Sequence, residues 1–88
     1  MFQGLIDLDT AIAVQMTAMP DTLFEQGVYW ASGRAGRVDL VAAHKWFNLA
    51  ALKGRKDAVA MRSEIAAQMS ESEIARAQRE ARAWISAH

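Results

Sequence analysis

Asp39-Leu-Val-Ala-Ala-His-Lys-Trp-Phe-Asn-Leu-Ala-Ala-Leu-Lys-Gly54 is the stretch that decides the fold. Both of its ends are marked. Asp39 suits an N-cap, because its carboxylate accepts a hydrogen bond from an amide of the first turn that has no helical partner. Gly54 suits the position just past the end, where a left-handed backbone closes a helix. Between them Ala43, Trp46, Phe47, Ala50 and Ala51 recur at three- and four-residue spacing, which puts them on one helical face. Three alanines let a neighbouring backbone come close, and two aromatic rings fill the space beside it. The pattern predicts a second helix packed tightly on this one, with 39–53 as the inner member of a helical hairpin.

The segment before it supplies that second helix. Pro20-Asp21 starts it, since proline in the first turn loses no hydrogen bond and an acid there favours the helix dipole. The helix runs to about Ser32 and is stopped by Gly33, with Leu23, Phe24, Gly27, Trp30 and Ala31 as its inner stripe. A mid-helix glycine costs up to about 1 kcal/mol relative to alanine. Gly27 therefore implies a packing reason, and the Ala43 and Ala50 face is the expected contact. Gly33-Arg-Ala-Gly36 is the turn between the helices. It lacks the preceding strand and the spacing of a phosphate-binding loop.

Taken together, Gly27, Trp30, Gly33, Asp39, Ala43, Trp46, Ala50, Ala51, Gly54 and Ala58 resemble a Sel1-like repeat, a relative of the tetratricopeptide repeat. The likeness covers about residues 22–58 as one full repeat. Thr22, Gln26 and Ala35-Gly36 depart from the usual Ala, Leu and Gly-Val, and Arg62-Ser63 replace the Leu-Gly of a following repeat. The resemblance implies an α-helical interaction module without enzymatic activity, and it names no partner.

Downstream, Asp57 is the expected cap of a third helix whose stripe is Ala58, Met61, Ile65 and Met69. Ser70-Glu-Ser-Glu73 reads as a capping box, in which each of the two outer side chains bonds the other residue's amide. It opens a fourth helix over 71–86, with Ile74, Ala77, Ala81, Trp84 and Ile85 as apolar positions. The expected fold is all-α: a short α-solenoid of antiparallel helix hairpins with four to five helices. Its parts are an apolar N-terminal segment or capping helix over 1–19, the repeat hairpin over 20–54, and a degenerate helix pair over 57–88 that caps the C-terminal end. Residues 1–19 include Phe2, Leu5, Ile6, Leu8, Ile12, Val14 and Met16, apolar enough either to cap the fold or to dock a second chain.

Composition narrows the function. Eighty-eight residues make one domain at most, and 52% are hydrophobic. Many of these are alanines, which lowers the core volume that the percentage suggests. There is no cysteine, so disulfides and thiolate metal sites are excluded, in keeping with a reducing compartment. The N-terminus lacks the positive stretch of a signal peptide, and no apolar run reaches the ~20 residues of a membrane span. A cytoplasmic location is expected, with no membrane partner. The net charge is zero but unevenly spread. Residues 1–33 carry Asp7, Asp9, Asp21 and Glu25 and no Lys or Arg. Residues 34–62 carry seven Lys and Arg against Asp39 and Asp57.

The chemistry-bearing residues are sparse. His44, placed on the outer half of the central helix, has no second His, Cys or carboxylate pair at metal-ligand spacing. Catalysis, a metal site and a cofactor are not expected. Nucleic acid is not an expected partner either, because the aromatics of the basic third fall on the buried face. A binding module remains, its groove lined by the off-core positions of the 20–32 helix: Glu25, Val28, Tyr29 and Ser32. Glu25, Tyr29 and Ser32 are the candidate contacts, and Tyr29 leads because amphipathic aromatics anchor interfaces. The expected partner is a protein or peptide. The competing expectation is a homodimer formed through the apolar N-terminal segment, since one repeat leaves its lateral faces open.

Overall fold

The computed structural model describes residues 19–87. They form four α-helices: α1 over Pro20–Ala31, α2 over Leu40–Leu52, α3 over Asp57–Ala66 and α4 over Glu71–Ala87. No strand occurs among the described residues, so the all-α expectation holds. The expected role of residues 1–18 as a cap or docking segment lies outside the described residues.

The chain signals act where the sequence puts them. Pro20 opens α1. Gly33, Gly36 and Gly54 take φ values of 81°, 94° and 104°, the left-handed region where a side chain is strained. The Asp39 carboxylate accepts from the Ala42 amide at 3.0 Å and caps α2. The Asp39 amide also donates to the Trp30 carbonyl at 3.0 Å, which ties the start of α2 to the end of α1. The capping box forms as drawn: the Glu73 amide donates to Ser70 Oγ at 3.1 Å, and the Ser70 amide donates to the Glu73 carboxylate at 2.8 Å.

α2 is the hub. α1, α3 and α4 each pack on it and touch one another only slightly. Trp30 meets Asp39, Phe24 stacks edge-on to Phe47 at 5.3 Å, and Asp21 meets Arg55. Positions that fall along α1 therefore rise along α2, and the two helices run antiparallel. α4 runs in the same direction as α2, with Glu73 and Arg76 near its start and Trp84 stacked edge-on to Trp46 at 5.9 Å. The fully buried core is Ala43, Phe47, Leu49, Ala50, Ala58 and Ala77, joined by Leu23 and Ala81, with Phe24, Trp30, Met61 and Met69 packed around it.

Several expectations are corrected here. Gly27 is buried, and the space a side chain would need there is filled by the Phe47 ring, which the expectation of an alanine contact did not name. A Cβ on Gly27 would sit 2.6 Å from two of that ring's carbons. His44 is not on an outer surface: it is 3% exposed. Leu49, outside the expected stripe, is wholly buried. Both differences have one cause. A single stripe describes one partner helix, whereas α2 is covered on three sides. Asp57 does not cap α3. Lys56 holds the cap position with no side-chain bond to the helix, and the Asp57 carboxylate is taken up by Arg55. Ile85 is exposed. Trp84 occupies the α2-facing position, and the next residue on a helix is turned ~100° away.

Candidate functional site

The outer face of α1 carries the candidate site. Helical spacing sends Leu23 and Gly27 toward α2, which leaves Glu25, Gln26 and Tyr29 pointing outward. A groove of about 570 Å³ runs along this face, lined by Phe24, Glu25, Val28, Tyr29, Arg34 and Arg55, with Gln26 beside them. Tyr29 is 39% exposed, and its ring meets Trp30 edge-on, centroids 5.3 Å apart. Trp30 is packed on the core, so it fixes one side of the tyrosine and leaves the other open.

Of the three expected contacts, Glu25 and Tyr29 line the groove and Ser32 does not. The Ser32 hydroxyl donates to the Tyr29 carbonyl at 3.3 Å and accepts from Arg34 Nε at 3.2 Å. It thus steadies Arg34 at the groove's edge.

Arg34 and Arg55 are the lining residues that the sequence did not single out. Arg55 lies in the turn between α2 and α3, distant in the chain from α1. Its guanidinium sits 3.9 Å from the Phe24 ring centre. It donates to both Asp57 oxygens at 2.7 and 3.0 Å and to Asp21 at 2.9 Å. The hydrogen bonds with Asp57 raise the pKa of Arg55 and lower that of Asp57. This clamp closes the groove floor over Phe24, a cation on an aromatic face. The one available signal was the Arg-x-Asp spacing at 55–57. Nothing in the local sequence pointed to Asp21 or Phe24, which only folding brings near.

A second groove, of about 540 Å³, lies at the other end of the hub, between the start of α2 and α4. It is lined by Arg37, Asp39, Glu73, Arg76 and Glu80 beside Val38 and Val41. Its charges pair internally: Arg76 donates to Glu80 at 3.0 Å, and Arg37 lies 3.5 Å from Asp39. Because these charges already have partners and the lining presents no exposed aromatic ring, the α1 face is the better candidate.

The motif residues of the expected repeat occupy framework positions. Gly27, Ala43, Ala50 and Ala58 are buried, while Trp30, Trp46 and Ala51 pack against the core. Lys45 lies 4.4 Å over the Trp46 ring. Among the described residues, no three His, Cys, Asp or Glu side chains converge as a metal site, and no helix is long and apolar enough to cross a membrane.

Comparison with family models, with curated proteins and with solved structures finds no match.

Proposed function

We propose that this protein is a non-catalytic interaction module of the Sel1-like, tetratricopeptide-related kind, which takes a protein or peptide partner against the outer face of α1. Two features support the repeat reading, although α3 and α4 hardly touch and do not form the second helix pair expected over 57–88. α1 and α2 form an antiparallel hairpin joined at Trp30 and Asp39. The glycines at 33 and 54 hold the left-handed turns that the repeat pattern needs.

The observation that carries the binding role is Tyr29. A half-open amphipathic ring, braced on a packed tryptophan and set in a groove with Phe24, Val28 and Arg34, is well suited to anchor a partner. Pre-positioning by Trp30 lowers the ordering cost of binding.

Photocrosslinking tests this in the native cell. A crosslinking residue at Gln26, in the groove, captures a partner, and Tyr29→Ala in the same chain removes that capture. The same residue at Gln78, exposed on α4, captures nothing comparable. Equal capture from both positions, or capture indifferent to Tyr29→Ala, overturns the reading. A crosslink to a second copy of this chain instead supports the self-associating alternative.

A further inference from the structure

The contact between α2 and α3 is built differently from the rest of the core. His44 lies one turn before Asn48 on the same face of α2, the face that meets α3; it is 3% exposed, and its Nδ1 has no hydrogen-bond partner among the described residues. One turn further along α2, Asn48 Oδ1 accepts from the Arg62 guanidinium at 2.7 Å, a bond that fixes this cation against α2. Arg62 reaches over from α3. The neutral ring is thus enclosed beside a fixed positive charge.

α3 is the shortest of the four helices, and its N-cap makes no side-chain bond. Among the described residues it packs on α2 and hardly touches α1 or α4. A segment held through one main contact can open without the rest of the fold.

We propose that the α2–α3 contact is an acid-sensitive latch, in which protonation of His44 releases α3 while the α1–α2 contact stays closed. A protonated imidazole cannot stay enclosed beside Arg62 without solvent or a counter-charge. Among the described residues, the nearby acids are engaged or turned away. Glu64 on α3 is exposed. On α4, Glu73 is bonded to Ser70 and Glu80 to Arg76. On α1, Asp21 is bonded to Arg55 and Glu25 faces the outer groove. Lys45, the cation beside His44 in the chain, lies over Trp46. Opening α3 separates Arg62 from His44 and brings in water, so the open form binds the proton more readily.

Burial, with Arg62 second, lowers the pKa of His44 in the closed form. In the open form it returns to an ordinary value near ~6.5. Opening is therefore coupled to proton uptake as pH falls below ~6.5, and ceases to depend on pH below the closed-form value. Carboxylates with ordinary values titrate lower, near ~4, so histidine dominates the window from pH 7.5 to 5.5. This inference does not depend on the binding role of Tyr29.

Amide hydrogen exchange on the full chain is the test, read as protection factors that remove the intrinsic pH dependence of exchange. Those of α3 should fall by up to about tenfold between pH 7.5 and 5.5, the limit for uptake of one proton, while those of α1 hold. His44→Leu should abolish the pH-dependent fall, and His88→Gln should preserve it. Arg62→Met should shrink it by removing the like charge. If His44→Leu fails to fold, NMR titration of the wild type decides instead: the His44 ring protons should titrate below the ordinary histidine range. Equal loss of protection in α1 and α3, an unchanged fall in His44→Leu, or a His44 midpoint at or above the ordinary value overturns the latch.

Discussion

The two sides of α2 hold their neighbours by different means. Toward α1 the contact is apolar and close. Gly27 brings the α1 backbone against the Phe47 ring, Leu23 is buried, and Phe24 meets the same ring edge-on. Toward α3 the contact is part polar. Arg62 and Asn48 bond across it, and His44 is enclosed with one nitrogen unpaired. Shape holds the first side and tolerates no added atom. Charge state holds the second, so pH reaches it and leaves the first alone. One helix can thus carry a fixed joint and a conditional one.

The strongest way to break this contrast is to empty the apolar side. Phe47→Ala should cost about 3–5 kcal/mol, as for other buried aromatics cut to alanine. In a chain of this size that is most of the stability, so loss of helical circular dichroism at ambient temperature is the expected outcome. Retention of a cooperative urea transition at nearly wild-type midpoint would sink the claim that Phe47 is central.

Overfilling the same joint comes next. In an open helix Gly27→Ala should stabilise by up to ~1 kcal/mol through propensity. Here the added carbon would lie 2.6 Å from a wholly buried ring, so a net loss of about 1–3 kcal/mol is expected from urea titration. Adding Phe47→Leu should recover part of that loss, giving a double mutant less damaged than the two single effects summed. Strict additivity would place the constraint elsewhere than in the Gly27–Phe47 contact.

A local change away from both joints calibrates them. Ser70→Ala removes one half of the capping box of α4 and should cost about 1 kcal/mol, with the same cost at pH 7.5 and pH 5.5. A Ser70→Ala effect that grew on acidification would show that pH sensitivity is not confined to the α2–α3 contact.

The smallest stability effect belongs to the proposed binding face. Tyr29→Ala should change the unfolding free energy by no more than ~0.5 kcal/mol, because the ring is partly open and its ring contact among the described residues is with Trp30. Partner capture should nevertheless be lost. A stability loss of several kcal/mol would turn Tyr29 into a framework residue and remove it from the candidate site.

The local rules were legible without coordinates. The Asp39 cap, the Ser70–Glu73 box and the glycines closing α1 and α2 depend on residues within a few positions of one another, and all form as the sequence implied. The stripes of α1 and, as far as Ile65, of α3 were legible too, because each of these helices has one main partner and a single helical periodicity describes its buried face; Met69 packs on the core from beyond the end of α3 at Ala66. α2 was only half legible. Covered on three sides, it buries Leu49 and His44 off the expected stripe, and a single-stripe pattern cannot register that. The groove was half legible for a related reason. Glu25 and Tyr29 lie on one helix and share a face by spacing, whereas Arg34 and Arg55 arrive from turns before and after α2.

What the chain determined by itself is the set of helices, the ends of α1 and α2, the start of α4 and the hairpin of α1 on α2. Caps, turn glycines and short-range periodicity act over fewer than about ten residues. What only the tertiary structure decided is which ring fills the space over Gly27, that His44 is enclosed beside Arg62, and that Arg55 closes the groove over Phe24. Each of these depends on the direction in which one helix crosses another. That direction is set by packing the whole core at once and is written in no single segment.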